Sequence, residues 1–543
     1  MNMKALLLAL LSIVCCGPAR AVAGEAAGAL PDEASLQASG ARIGEISIRS
    51  LQIFDENDPR ENKALYRAAN RLHVRTRESA IRAQLLFATG EPFDARLLKE
   101  TERNLRGLPF LREPTVRATR FHDGVVDIEV LTHDVWTLQL GPSFGRSGGE
   151  NHSSLSIEDQ NLFGFGKTLI VGVDRNVDRD SETIEWRDPN VFGTHWQDQF
   201  VWTETSDGRV RRVNVKRPFY ALSTPHSYGL QLADSRLMDT RYALGATYDS
   251  YTHASRLMDL FAGWSRGLNK GHVQRLIAGW RVARDEFRPL PESRATLPAD
   301  RSFSYPYLRA EWIRDDFQTT RDLEQIERTE DVQFGLSGTA TLGAITRAGG
   351  SDRNALLFEA NGSYGLQYGH MQQLFLTSSF SNRLEGGRSV DQRAALVAAW
   401  YWRHSPRFMS HARLRVARGA NLDLDHYYSL GGDNGLRGYP LRYQLGTGVT
   451  LLKLEERWFS GYSLWRLFDV GAAAFVDAGR VEGRNPLGAP NLGWLHDVGI
   501  GLRLGNSRSS LGNVIHIDLA TPVGHQQAGV RSLQWLVSTE VSF

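Results

Sequence analysis

Apolar and polar side chains alternate with a period of two residues in short segments throughout positions 137–543. Successive side chains of a β-strand point to opposite faces, so this period predicts strands with one apolar and one polar face. Clusters of Gly, Asn, Asp and Ser separate the segments and predict turns. In HDVGIGLRLG, one face carries Val498, Ile500, Leu502 and Leu504, and the other carries Asp497, Gly499, Gly501 and Arg503.

The alternation continues to the end of the chain. VIHIDLA sets Ile515, Ile517 and Leu519 against His516 and Asp518, and the final SLQWLVSTEVSF has an apolar face of Leu533, Trp535, Val537, Val541 and Phe543. Alternation alone also fits a soluble sandwich or propeller. The length of the region and the presence of an export signal are therefore needed to distinguish a membrane barrel from a soluble sandwich or propeller.

The first residues, MNMKALLLALLSIVCC, have one lysine before an apolar run that is too short for a membrane-spanning helix. Together with a small residue at Ala23, this run predicts a signal peptide over 1–23. Cys15 and Cys16 fall inside it, so the exported chain would have no disulfide. A lipid attachment site at Cys16 is the alternative. Residues 24–42, rich in Ala and Gly, are expected to form a flexible leader.

An exported chain with this alternation favours a membrane-spanning antiparallel β-barrel. A spanning strand needs about 9–11 residues, so a region of roughly 400 residues holds roughly 14–20 strands with turns and long loops. A closed barrel leaves no unpaired strand edge in lipid. The Trp- and Tyr-rich segments 398–404 and 457–465 fit aromatic girdles at the membrane interfaces.

Positions 43–134 predict a small α+β domain ahead of the barrel. IGEISIRSLQIF predicts a strand, the charged DENDPREN predicts a loop, and two helices follow. The first helix lies around 76–89, and the second begins after the N-cap Asp94. Asp123 and Gly124 form a turn dipeptide between alternating segments, which predicts a hairpin. The predicted order is β-α-α-β-β.

Catalytic motifs are present only in part. GPSFG has the spacing of a nucleophile elbow around Ser143, but that motif requires a strand-turn-helix unit and a glycine-rich segment follows here. GFGKT ends as a phosphate-binding loop does, but Asn161 stands where its first glycine is required. The histidines show no zinc-ligand spacing. We predict no enzyme, no metal and no cofactor; a barrel hydrolase with a Ser-His pair on the wall is the alternative.

Several segments resemble, in order, one known family. The unit at 43–134, above all FATGEPFDARLLKETERNLRGLPFL, resembles a POTRA domain, and the remainder is similar to the bacterial surface antigen barrel. Together they resemble the outer-membrane protein assembly and translocation superfamily. The barrel motifs that agree in order are NLFGFG (161–166), DPNVFG (188–193), LRGY (436–439), KLEER (453–457), FVDAG (475–479) and IDLATPV (517–523), before the terminal Phe543.

The resemblance implies a POTRA-like domain at 43–134 and a barrel of 16 strands at 137–543; a single such domain departs from the family, whose assembly subunits carry several and whose secretion transporters typically carry two. It also implies that the glycine-rich loop after the eleventh strand is a lid that docks inside the barrel, with Arg437 as its anchor. The implied lid motif is Leu436, Arg437, Gly438 and Tyr439, its inner-wall partners are Phe475, Asp477, Gly479 and Glu455, and the C-terminal strand signal is Trp535 and Phe543. Strand parity agrees, because Phe475, Asp477 and Gly479 share one face. A solvated surface-loop arginine is the alternative.

The first strand, near 137–141, must pair with the last, 532–543, to close such a barrel. A short seam could open and offer its edges to an incoming strand. The resemblance implies a factor in the Gram-negative outer membrane, with the POTRA-like domain in the periplasm, that inserts outer-membrane proteins or translocates a partner polypeptide without a cofactor. A passive channel or a surface receptor on the same scaffold is the alternative.

The expected partners follow from this function. They are outer-membrane lipids, unfolded outer-membrane or secreted client polypeptides, and periplasmic chaperones or accessory proteins. The 63 basic and 61 acidic residues nearly cancel, so no nucleic-acid partner is predicted.

Overall fold

The computed structural model describes residues 30–510, 514–524 and 529–540. The predicted signal peptide with both cysteines, the beginning of the leader and the terminal Phe543 lie outside the described residues. Within those ranges, no helix is both long enough and apolar enough to cross a membrane.

The N-terminal part is a small α+β domain with a three-stranded mixed sheet. Its elements are α1 (Glu33–Ala38), β1 (Arg42–Leu51), α2 (Ala64–Leu72), α3 (Glu78–Arg82), α4 (Ala95–Arg106), β2 (Leu111–His122) and β3 (Val125–Asp134). The central β3 is parallel to β1 and antiparallel to β2. Apolar side chains of the sheet pack against the helices in a core that includes Ile43, Ile81, Leu98, Leu105, Val126, Ile128 and Val130. Asp94 caps α4 as predicted, accepting the Arg96 N–H at 2.9 Å.

The sequence prediction is wrong at two helices of this domain. α1 lies in the segment predicted to be a flexible leader; Asp32 caps it through the Ser35 N–H at 2.7 Å, and Leu36 is buried in the domain core. α2 follows the predicted loop and was not predicted at all; its two leucines, Leu65 and Leu72, are exposed, and its buried side chains are Tyr66 and Asn70.

The remaining chain forms a barrel and two short hairpins. The barrel strands are β4 (Leu138–Ser147), β5 (Glu150–Asp159), β6 (Thr168–Arg175), β7 (Asp180–Val191), β8 (Trp196–Thr205), β9 (Gly208–Arg217), β10 (His226–Ala243), β11 (Ala246–Asn269), β12 (His272–Pro289), β13 (Arg301–Arg314), β16 (Gly335–Ile345), β17 (Ala355–Tyr368), β18 (Gln372–Glu385), β19 (Arg388–Trp402), β20 (Phe408–Ala420), β23 (Gly448–Leu464), β24 (Phe468–Glu482), β25 (Leu495–Gly505), β26 (Val514–Val523) and β27 (Gln534–Glu540). The hairpins are β14 (Phe317–Arg321) with β15 (Thr329–Gln333), and β21 (Tyr428–Leu430) with β22 (Gln444–Gly446). Short 3-10 turns lie at Leu162–Gly164 and Arg347–Gly349.

The predicted mainly β, antiparallel barrel is confirmed, but the predicted number of 16 strands is wrong. The sheet closes with 20 strands. Length alone allows roughly 14–20 spanning strands, and β4 to β9, with 8–12 residues each, are short enough for the upper end of that range.

Two faces of the barrel wall differ in polarity, as the alternation predicts. On β24, Val476 is exposed, whereas Phe475 and Asp477 on the other side are buried. Exposed apolar side chains continue around the outer face, among them Leu140, Ile157, Trp202, Leu260, Leu308, Leu342 and Ile500. An apolar outer face and a polar inner face are typical of a barrel that lies in lipid.

The α+β domain packs under one end of the barrel, which we call the domain end. The Leu222 N–H donates to Glu100 at 2.7 Å, and the Asn104 amide donates to the Tyr220 carbonyl at 3.2 Å. On the far side, Arg508 donates to the Ile53 carbonyl at 2.6 Å. The domain is therefore fixed to turns on both sides of the barrel opening.

Candidate functional site

The segment between β20 and β23, which we call the lid, folds back against the inner face of the barrel at the end opposite the domain. It follows the fifteenth barrel strand, so the predicted position after the eleventh is wrong, because the additional strands precede it. The lid and the wall share an apolar cluster of Leu430, Leu436, Tyr439, Tyr443, Leu451, Val481 and Leu495. Burial of these side chains holds the lid against the wall.

Arg437 anchors the lid through two carboxylates on the wall. Its Nε and Nη2 donate to Asp477 at 2.7 and 2.8 Å, and its Nη1 donates to Glu455 at 2.9 Å. The Arg437 side chain is 8% exposed, and Asp477 is fully buried. Burial alone would lower the pKa of Arg437, but the charge and hydrogen bonds of Asp477 outweigh it and raise the pKa, so the lid carries a fixed positive charge.

Phe475 and Gly479 complete the contact surface on β24. The guanidinium carbon of Arg437 lies 3.3 Å from the centroid of the Phe475 ring, a stacked cation-π arrangement. A Cβ at Gly479 would lie 2.9 Å from Cδ2 of Leu430 in the lid. The wall therefore offers one aromatic platform and one position without a side chain, and the lid fits both.

The rest of the LRGY motif contacts the next strand, β25. The Gly438 N–H donates to Asp497 at 3.1 Å, and the Tyr439 hydroxyl donates to the His496 carbonyl at 3.2 Å. A Cβ at Gly438 would lie 2.7 Å from Cβ of Asp497, so only glycine allows this approach. Leu436 is fully buried beside the anchor. The structure thus brings all four residues of the predicted motif to the wall.

Several charged residues of this site were not predicted. Asp518 on β26 accepts from Arg437 at 3.4 Å and also pairs with Arg503 on β25. Arg457 on β23 donates to Glu455 at 3.1 Å. A signal for Arg503 and Asp518 was present, since the alternation puts both on the polar faces of their strands.

The hairpin of β14 and β15, which we call the inner hairpin, is a second element that folds against the inner wall. Its tip side chains Leu323 and Ile326 pack in a cluster with Tyr401, Met409, Phe459, Ala473 and Val514 of the wall. Along β15, Arg106 of the α+β domain pairs with Asp331 at 2.6 Å, and Glu113 accepts from the Thr329 hydroxyl at 2.9 Å. The inner hairpin is therefore held between the domain and the far wall of the barrel.

The lid and the inner hairpin meet the same residue pair from opposite ends. Arg457 Nη1 donates to the Leu323 carbonyl at the hairpin tip at 3.0 Å, and its Nε donates to Glu455, which also binds the lid anchor Arg437. A cavity of about 530 Å³ remains beside these contacts. Two segments that enter the barrel from opposite ends thus share one ionic network on its inner wall.

The seam between the first and last barrel strands is short. Among the described residues, one register pair joins β27 to β4, Val537 with Arg146. The neighbouring junctions are longer, with seven pairs between β26 and β27 and ten between β4 and β5. The predicted first and last strands therefore do meet, but with far fewer pairs than any other wall junction beside them.

Side chains on the outer face support this seam. Trp535 stacks on Phe144 with ring centroids 6.2 Å apart, and the Arg146 guanidinium lies 5.1 Å from the Trp535 ring. The other residue of the predicted C-terminal signal, Phe543, lies outside the described residues. On the inner side, the lid reaches the β4–β5 turn, since a Cβ at Gly432 would lie 2.5 Å from the Gly148 Cα.

The partial catalytic motifs lie in or next to barrel strands. Ser143 lies in the middle of β4 and not at a strand-turn-helix junction. Thr168 begins the strand β6, whereas a phosphate loop would lead into a helix there. Asp391, Asp423 and His426 lie close together, but Asp423 already accepts from Arg383 and Arg301, so its charge is compensated without a metal.

We compared the chain with known proteins and found similar solved structures. No protein-family model and no curated protein matches the chain. CdiB from Acinetobacter baumannii is 12% identical over 92% of this chain and 73% of that chain, with a TM-score of 0.45. CdiB from Escherichia coli is 13% identical over 92% and 76%, with a TM-score of 0.44. BamA from Haemophilus ducreyi lacking POTRA domains 1-3 is 14% identical over 91% and 84%, with a TM-score of 0.39. The chain is similar in fold to these three structures.

Proposed function

We propose that this protein is an outer-membrane barrel of the assembly and translocation superfamily that inserts outer-membrane proteins or translocates a partner polypeptide. The observation that carries the proposal is the seam, where a single register pair, Arg146 with Val537, closes the described wall. The α+β domain would lie in the periplasm as one POTRA-like unit, and the lid would lie at the cell-surface end.

The short seam makes lateral opening much less costly there than at other junctions. A net contribution of about 0.5–1.5 kcal/mol per backbone hydrogen bond means that a junction of seven or ten pairs resists separation several times more strongly than a junction of one. An opened edge in lipid leaves N–H and C=O groups without partners. A client strand that pairs with β4 would satisfy those groups, as in β-strand addition.

The two segments inside the barrel favour this proposal over a passive channel or a receptor. The lid and the inner hairpin both contact the wall through buried side chains, and they share the Arg457–Glu455 pair. A passive channel needs a continuous water-filled path, and both segments occupy part of the space such a path would use. A polypeptide that leaves sideways through the seam does not need the lid to move out of the barrel entirely.

A covalent lock across the seam tests the proposal. In R146C/V537C the two cysteines face each other across the seam, whereas in R146C/N151C they join two strands of the same hairpin and serve as the matched control. With a short thiol crosslinker, the first variant should lose client insertion or secretion and regain it on cleavage of the linker. Normal client handling by the locked seam variant would refute the proposal, and steady ion conductance with no client defect would favour the channel.

A further inference from the structure

We propose that α2 is a membrane-interface helix that docks on anionic phospholipid beside the seam. The inference rests on the proposed membrane placement of the barrel but not on client insertion. α2 turns one face into the protein, where Tyr66 and Asn70 are buried, and leaves Leu65 and Leu72 68% and 75% exposed on another. Residues seven apart lie on the same side of a helix, so these two leucines form one exposed apolar stripe.

The stripe is continuous with the outer face of the barrel. Leu65 and Leu72 line an open apolar groove of about 840 Å³ whose other side includes Leu138, Leu140 and Phe144 of β4. The three β4 side chains belong to the exposed outer face, which faces lipid in the proposed placement. A lipid chain that contacts β4 at this height therefore also contacts α2.

Aromatic residues place α2 at the level of the membrane interface. The Tyr66 hydroxyl donates to the Trp465 carbonyl at 2.7 Å, so the helix is fixed to the β23–β24 turn. Trp465 in that turn and Tyr462 at the end of β23 are 67% and 62% exposed. Exposed Trp and Tyr side chains at the end of a barrel wall are typical of the membrane–water boundary.

The charges around α2 favour an anionic surface over a neutral one. Residues 62–77 contain no Asp or Glu and carry the basic residues Lys63, Arg67, Arg71, Arg75 and Arg77. An apolar stripe with basic residues around it is the pattern of helices that lie in the headgroup region of anionic lipid. An apolar segment of a client protein is the competing occupant of the groove. Binding of apolar side chains would not require the five basic residues that surround α2, whereas binding of anionic lipid would use them.

Single cysteines with an environment-sensitive fluorophore test the location. L65C and L72C report on the stripe, T119C on the exposed sheet of the same domain, and L308C on the outer barrel wall; Cys15 and Cys16 are the native cysteines and lie within the predicted signal. The full chain is placed in vesicles of phosphatidylcholine with phosphatidylglycerol, part of it brominated on the acyl chains. Probes at 65 and 72 should be quenched to an extent similar to that at 308, and the probe at 119 should not.

Further experiments test the role of the basic residues around α2 and the possibility that a client segment occupies the groove. Reversal of two cations in R71E/R75E should weaken docking of the stripe on the order of tenfold, with a smaller effect in phosphatidylcholine alone. Quenching at 308 but not at 65 or 72 overturns the inference and leaves the proposed function standing. If the fluorescence of the probes at 65 and 72 changes only after an unfolded outer-membrane protein is added, the inference is also overturned, and the groove is a binding site for client polypeptides. Quenching of the stripe with no client insertion by the same preparation supports the helix and counts against the proposed function.

Discussion

Arg437 and Asp477 form a bidentate ion pair between the lid and the barrel wall, with both hydrogen bonds between 2.7 and 2.8 Å. The two residues lie 40 positions apart, and Asp477 is fully buried. A buried ion pair adds little by itself relative to apolar packing, but loss of one partner leaves the other charge buried, which costs about 3–5 kcal/mol. The pair therefore controls where the lid rests more than how stable the barrel is.

R437A should release the lid without unfolding the barrel. The matched control is R442A in the same loop, because Arg442 pairs with Asp178 at 2.7 Å but both side chains are about a quarter exposed. This pair is partly open to solvent, so its loss should cost less than loss of the buried anchor, and R442A should loosen the lid less than R437A does. Limited proteolysis of the lid and heat-modifiable migration on gels measure the two variants. Equal protection of the lid in both variants would contradict the anchoring role of Arg437.

G438A should displace the lid tip while every charge remains. The added methyl group would lie 2.7 Å from Cβ of Asp497 and 3.1 Å from the backbone nitrogen of Pro522, and the backbone cannot move easily there. Overpacking of this kind typically costs about 1–3 kcal/mol. G107A at the end of α4, where the new Cβ meets ordinary contacts from 3.4 Å, is the control for the substitution itself. The exchange of lid amide hydrogens should accelerate in G438A alone.

Strand parity explains how the anchor partners could be found from the sequence. Phe475, Asp477 and Gly479 alternate with apolar residues, so a strand must place them together on the polar side, and the structure puts all three under the lid. Alternation also places Asp497 and Asp518 on the polar face of their strands, but it determines only which face a residue occupies. Which polar residues meet the loop depends on strand register and on the path of the lid, neither of which the local pattern contains.

The inner hairpin shows where sequence reasoning fails. Its strands of five residues contain mostly polar side chains, and only Leu323 and Ile326 at its tip enter an apolar cluster. A polar hairpin that points into water has the same local pattern. Its inward path is set by contacts far along the chain, such as the bond from Arg457 to Leu323, which spans 134 positions.

The stability of the α+β domain should fall in mild acid because of His133. Burial, followed by the nearby charge of Arg112, lowers the pKa of His133 from its ordinary value of 6.5, with Arg508 acting in the same direction and Glu113 opposing it. A histidine with a lowered folded-state pKa binds protons more readily when unfolded, so the free energy of unfolding decreases as the pH falls below about 6.5. Protection factors of the β3 amides at pH 7.5 and 5.5, corrected for the base-catalysed intrinsic exchange rate, measure the change.

H133Q is the control for this pH dependence, because glutamine does not titrate in this range. The variant should flatten the difference in β3 exchange between the two pH values. An unchanged slope would show that another group, and not His133, causes the loss of stability.

The interior of the barrel should conduct ions only when both of its obstructing segments are released. I326D would place a charge in the apolar cluster at the hairpin tip, whereas T319D adds the same charge at an exposed position of the inner hairpin and serves as its control. Because the lid and the hairpin obstruct the barrel from opposite ends, R437A or I326D alone leaves one obstruction in place. Single-channel conductance in planar bilayers should therefore rise far more in R437A/I326D than the sum of the two single variants predicts. Full conductance from either single variant would show that one segment alone closes the barrel, and the shared Arg457–Glu455 contact would then have no gating role.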